Sequence, residues 1–161
     1  MPANTGKTFI RNEEQGNEIL KNNIMKKILI VLPCLLLLFN GIGAIYGGWN
    51  LIIHPDGSSI QLSMDWLKHT PFQNYLIPGI VLFIANGIFS IAVIIMLLFN
   101  KRYYPWFIIA QGAILTGWII IQMLLIRTVH FFHYIMGGMG LALIILGILL
   151  LKHMNRKPAA T

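Results

Sequence analysis

Charge is scarce in this sequence. Charged side chains make up 11% of its 161 residues and hydrophobic ones 57%, whereas an ordinary soluble domain carries roughly a quarter charged residues. A soluble globular domain of this length is therefore excluded. The scarcity also has a pattern: four apolar stretches, about 28–49, 78–99, 103–126 and 131–151, contain no Asp, Glu, Lys or Arg. Proton-coupled transporters, pumps and voltage sensors place ionisable groups within their spans, so a mechanism of that kind is not expected. No stretch reads as a carbonyl-lined ion filter.

Other absences narrow the chemistry. The single cysteine, Cys34, lies inside the first apolar stretch, which excludes an internal disulfide, a two-cysteine redox pair and a thiolate zinc site. Leu35 and Leu36 after it do not suit a lipoprotein acceptor. The chain has no Gly-rich phosphate loop, no H-E-x-x-H pair and no G-x-S-x-G elbow. Asp65 and His69, four apart, could form an acid–base pair but read more simply as a solvated surface pair. No catalytic residues are assigned, a non-enzymatic protein is expected, and no cofactor is expected. Nor does any basic stripe interleave with aromatics, so the net charge of +7 does not point to nucleic acid.

What is present is membrane architecture. A helix rises ~1.5 Å per residue, so roughly 20 apolar residues cross ~30 Å of hydrocarbon, and each stretch is about that long. The expected fold is an all-α membrane protein, a four-transmembrane-helix bundle, with residues 1–27 as a mobile N-terminal tail and 152–161 as a second tail. Ten of the twelve basic residues fall in the tails or at Lys101-Arg102, leaving only Lys68 and Arg127 on the other side. By the positive-inside rule both termini are cytoplasmic and the protein is a multi-pass protein of the plasma (inner) membrane. Lys26-Lys27 before ILIVLPCLLLLF resembles the start of a signal peptide, but the apolar run continues to Trp49 and Gly41-Ile42-Gly43-Ala44 is a poor cleavage site, so an uncleaved first helix is expected.

The loop between the first two spans, residues 50–77, is the one connection long enough to carry structure. Ile60, Leu62, Met64 and Trp66 alternate with Gln61, Ser63 and Asp65, the period-two pattern of a strand with one wet face. His54-Pro55-Asp56-Gly57-Ser58 is strong turn chemistry, and residues 49–53 before it look extended. A short exoplasmic β-hairpin between helices 1 and 2 is predicted, with Trp49 and Trp66 at headgroup level. Thr70-Pro71 resembles a helix start, making PFQNYLI a helical lead-in, and Pro78-Gly79 is expected to kink the entry to the second span.

Each span carries small or polar residues along one stripe: Pro33, Asn40, Gly43 and Gly47; Gly79, Asn86 and Ser90; Tyr104, Gln111, Trp118 and Gln122; His133, Gly137, Gly140 and Gly147. These stripes should face one another, with Gly43-x-x-x-Gly47 as a close-approach pair. The amides either bond between helices or line a polar cavity open to the outer face. In the second reading the ligand-binding residues are Asn40, Asn86, Gln111, Trp118 and Gln122, joined by Trp66 and Tyr75 from the loop. His54, His69, His130 and His133 all fall on the exoplasmic side. They are a candidate metal or haem set, or else amphipathic boundary residues.

Gly47-Gly48, Pro55-Asp56-Gly57-Ser58, Thr70-Pro71-Phe72 with Tyr75 and Pro78-Gly79, then Trp118-Ile119 and Gln122, form a pattern that resembles small uncharacterised bacterial four-helix membrane proteins. The resemblance spans about residues 28–151. It implies a compact bundle with a structured first loop and carries no activity with it. The function expected from the sequence is that of a non-enzymatic integral membrane protein, an accessory subunit or a binder of a lipid or small apolar molecule at the outer face. A metal- or haem-binding protein and a neutral-solute transporter are the alternatives. The expected partners are the lipid bilayer and a membrane protein or a second copy of the chain.

Overall fold

The computed structural model describes residues 5–68, 70–99, 101–126 and 131–155. Four helices long and apolar enough to cross a membrane dominate it, the makeup of a multi-pass membrane protein. They are α1 (Thr5–Ile53), α2 (Leu76–Leu98), α3 (Tyr104–Ile126) and α4 (Phe131–Asn155). Helix α1 is ~73 Å long at ~1.5 Å per residue, more than twice the ~30 Å hydrocarbon thickness of a membrane. It runs well beyond the apolar segment toward the N-terminus because that segment supplies a stable nucleus, and adding residues to an existing helix avoids the cost of nucleation.

Among the described residues there is no strand, so the predicted β-hairpin is corrected. Residues Trp49–Ile53, one of its proposed arms, are the last turns of α1, and helical bonding continues to His54, whose N–H donates to the Asn50 carbonyl at 2.8 Å. Without a partner the alternating segment folds instead into two 3-10 turns, Ser58–Ile60 and Met64–Leu67. Gly57 (φ 77°) and Gln61 (φ 55°) take left-handed conformations around the first of them. The helical lead-in is also corrected: residues 71–75 are non-helical, and α2 starts at Leu76. Thr70 Oγ donates to the Leu67 carbonyl at 2.9 Å and accepts from the Phe72 N–H, closing a local turn in place of a helix cap.

Pro78 lies in the first turn of α2, where its missing N–H would have had no partner in the helix. The irregularity in α2 comes a turn later. Residues Leu82–Ile88 are π-helical, and the Phe89 N–H donates to the Ile84 carbonyl, five residues back. Here α1 and α2 touch backbone to backbone: a methyl on Gly48 would meet Phe83 N at 2.7 Å and Gly79 O at 2.8 Å, and one on Gly87 would meet Ile45 Cγ1 at 2.8 Å.

The face α1 offers is Pro33, Leu37, Asn40, Gly41, Ala44, Gly48 and Leu51, all buried. Gly43 is exposed with open space around it and Gly47 only touches Leu82, so the expected Gly43-Gly47 contact is replaced by Gly41 and Gly48. At 100° per residue, Gly43 stands far round the helix from the line joining Pro33, Ala44 and Leu51. Helices α3 and α4 form a second close pair, in which Gly112 meets Gly140 and Gly147 meets Ile109 and the Pro105 carbonyl.

The two pairs join over one apolar cluster at the end of the bundle nearer the termini, built from Leu29, Leu37, Val93, Ile94, Leu97, Tyr104, Ile108, Leu143, Leu146 and Leu150. At the opposite end two smaller clusters are separate. Leu51, Leu67 and Tyr75 form one beneath the loop; Leu115, Ile119 and Met136 form the other between α3 and α4.

Candidate functional site

The stripes converge at the middle of the bundle. Asn40 from α1, Asn86 and Ser90 from α2 and Gln111 from α3 are all buried, the last three completely. Asn40 Nδ2 donates to Ser90 Oγ at 2.9 Å and to the Asn86 carbonyl at 3.2 Å. That carbonyl belongs to the π-helical stretch, where the ordinary i→i−4 ladder is interrupted and a side-chain donor from a neighbouring helix is useful. Gln111 Nε2 donates to Asn86 Oδ1 at 3.4 Å, a long bond. Two atoms remain: among the described residues Asn86 Nδ2 and Gln111 Oε1 have no hydrogen-bond partner. Leaving a buried polar atom unpaired costs about 1–3 kcal/mol.

The layer has an asymmetric setting. One helical turn toward the termini, each helix contributes one completely buried apolar side chain: Leu37, Val93, Ile108 and Leu143. Toward the loop, α1 presents Ala44 and Gly48, while Trp118 and Gln122 of α3 are half-buried. Gln122 lies ~16 Å along α3 from Gln111 at the helical rise, so the sequence-predicted ligand set divides in two. Asn40, Asn86 and Gln111 come together in one layer; Trp118 and Gln122 continue from it toward the loop end, where the Met64–Leu67 turn carrying half-buried Trp66 meets α3.

Tyr75 belongs to the loop cap and not to the amide layer. Its hydroxyl donates to the Ser63 carbonyl at 2.6 Å and its N–H to the Pro55 carbonyl at 2.8 Å, tying both halves of the loop to the start of α2. Burial pushes its phenol pKa up. The turn at residues 54–57 is closed by the Gly57 N–H donating to the His54 carbonyl at 2.9 Å. Asp56 Oδ1 accepts from Ser58 Oγ at 2.8 Å and from the Ser58 N–H at 3.2 Å, and these bonds hold its carboxyl below the usual aspartate range. The turn residues that the sequence singled out thus build the cap, although as turns and not as a hairpin.

Of the candidate metal residues, His54 is exposed after α1 and His133 is buried at the start of α4, while His69 and His130 lie outside the described residues. Among the described residues no group of three or more His, Cys, Asp or Glu is placed to hold a metal ion. A shallow hollow lies along the N-terminal part of α1, lined by Arg11, Glu14, Gln15, Glu18 and Ile19, ~30 Å or more from Asn40 along the helix.

Two elements of the site lie outside the sequence-predicted ligand set. Ser90 was visible in the α2 stripe, four residues after Asn86, a spacing that places both on one face. The π-helical stretch had no signal beyond Gly87, whose close approach to Ile45 only the packing reveals. Compared with models of known protein families, with curated proteins and with solved structures, the chain gives no match.

Proposed function

We propose that the chain is a non-enzymatic protein of the plasma (inner) membrane that binds a lipid or a small apolar molecule at its outer face, with both termini cytoplasmic. The orientation rests on the distribution of basic residues, ten of twelve of which belong to the terminal side. The observation that carries the binding reading is the tied-down cap with aromatic rings around it. Leu51, Leu67 and Tyr75 give the loop its own small core, and Tyr46, Trp49, Phe131, Phe132 and Tyr134 are exposed near that end of the bundle. Trp49 leans on Phe83 with ring centroids 6.1 Å apart. Amphipathic rings favour the headgroup level, and Trp49, held against Phe83, loses less freedom when a ligand docks.

A second reading, that of an accessory subunit, is favoured by the N-terminal arm of α1. Ile19, Leu20, Ile24 and Met25 are exposed there beside Glu13, Glu14 and Glu18, a mixed apolar and charged helix surface suited to another protein or a second copy.

Site-specific photocrosslinking distinguishes these readings. A benzophenone side chain in place of Trp49 should label a defined lipid or small apolar species, beyond the general lipid labelled by the same probe at Phe99. Label transferred mainly to protein from a probe at Ile19 would support the accessory-subunit reading. Identical lipid labelling from Trp49 and Phe99 would count against a selective outer-face site.

A further inference from the structure

The amide layer has a property separate from the proposed outer-face site. Asn86 Nδ2 and Gln111 Oε1 belong to two completely buried side chains already joined by one hydrogen bond, and they are one amide nitrogen and one amide oxygen with no partner among the described residues. The remainder does not depend on how the amides are turned. If both were flipped, Asn86 Nδ2 would donate to Gln111 Oε1, and Asn86 Oδ1 and Gln111 Nε2 would be left in the same relation.

We infer that this layer binds one water molecule, which accepts from an N–H of the unpartnered amide nitrogen and donates to the unpartnered amide oxygen, Asn86 Nδ2 and Gln111 Oε1 as the amides are turned here. A neutral molecule able to donate and accept at once is what the pair requires, and an ion is disfavoured because no charged side chain lies within the spans to compensate it. Apolar cavities stay dry, whereas a site with several polar partners holds its water. Ser90 Oγ and the Asn86 carbonyl, both accepting from Asn40, make the same layer polar. The site is closed on the terminal side by Leu37, Val93, Ile108 and Leu143. The layer is therefore a binding station and not one stage of an open pore: a solute could pass only if these four side chains parted.

The test is water-selective magnetisation transfer in the full-length, perdeuterated, 15N-labelled protein in lipid nanodiscs, with methyl labels at Leu37 and Ile108. The expected result is a direct cross-peak from water to the side-chain amide that keeps the unpartnered nitrogen, that of Asn86 or, with both amides flipped, that of Gln111, and none to the two methyls. Gln111→Leu should abolish that cross-peak while the circular dichroism spectrum remains helical. Absence of the cross-peak in the unsubstituted protein would overturn the inference even if the variant fails to fold, and so would a cross-peak that survives in a folded Gln111→Leu variant.

Discussion

Substituting Gly48 with alanine tests the packing of α1 on α2, because the new methyl has nowhere to go. It would meet Phe83 N at 2.7 Å, Gly79 O at 2.8 Å and Phe83 Cα at 2.8 Å, all backbone atoms, whereas ordinary contact begins near 3.4 Å. No rotamer change relieves such a clash, so the helices must separate and the contacts around Gly41, Gly79 and Gly87 loosen with them. Overpacking of this kind costs about 1–3 kcal/mol. Gly43→Ala is the matched control: it lies on the same helix, with nothing within 4 Å of the new methyl. Both substitutions gain the same helix propensity, up to ~1 kcal/mol, so the difference between them isolates the clash. Unfolding of the detergent-solubilised protein, followed by circular dichroism through a denaturing-detergent titration, should place Gly48→Ala about 1–3 kcal/mol below Gly43→Ala. Equal stabilities, or a less stable Gly43→Ala, would refute the packing face described for α1.

Three further outcomes are expected. Tyr75→Phe removes the hydroxyl that donates to the Ser63 carbonyl and should destabilise the cap by about 1 kcal/mol, seen as faster amide hydrogen exchange across residues 62–67 with exchange in α3 unchanged. Asn40→Leu removes both bonds from α1 to α2; at about 0.6 kcal/mol per interhelical bond in a membrane bundle, it should lower unfolding stability by roughly 1 kcal/mol in the same detergent titration. Because bonds from Ser58 depress the Asp56 pKa, the ionised carboxylate stabilises the turn fully above its unfolded pKa of about 3.9, and that contribution is lost as pH falls through the lower folded value. Ser58→Ala should move the Asp56 titration, read by side-chain carboxyl NMR, up toward the ordinary range.

The sequence disclosed the spans because their evidence is additive: some 20 uncharged residues in a row admit few other structures. It also disclosed much of the amide layer, since Asn40, Asn86 and Gln111 stand at spacings that repeat along one face and an amide in hydrocarbon needs a partner. The loop was misread for a physical reason. Alternation at Ile60, Leu62, Met64 and Trp66 records only that every second residue turns inward, and turns bent by left-handed Gly57 and Gln61 achieve that as well as a strand. A two-stranded hairpin alone is only marginally stable, while residues 49–53 gain more by completing α1. Glycine positions were ambiguous for a related reason: Gly41, Gly43, Gly47 and Gly48 lie within two turns, and which pair faces α2 depends on the approach of a helix that local spacing does not specify. The π-helical stretch arises from that same approach and could be seen only once α2 was packed against α1.

The proposed outer-face site is tested most directly by native mass spectrometry of the full-length protein gently released from its membrane, compared with Trp49→Ala. The account predicts a defined lipid or small apolar adduct on the unsubstituted protein that is weakened or lost in the variant. A protein free of any adduct, or an adduct indifferent to Trp49, would contradict it.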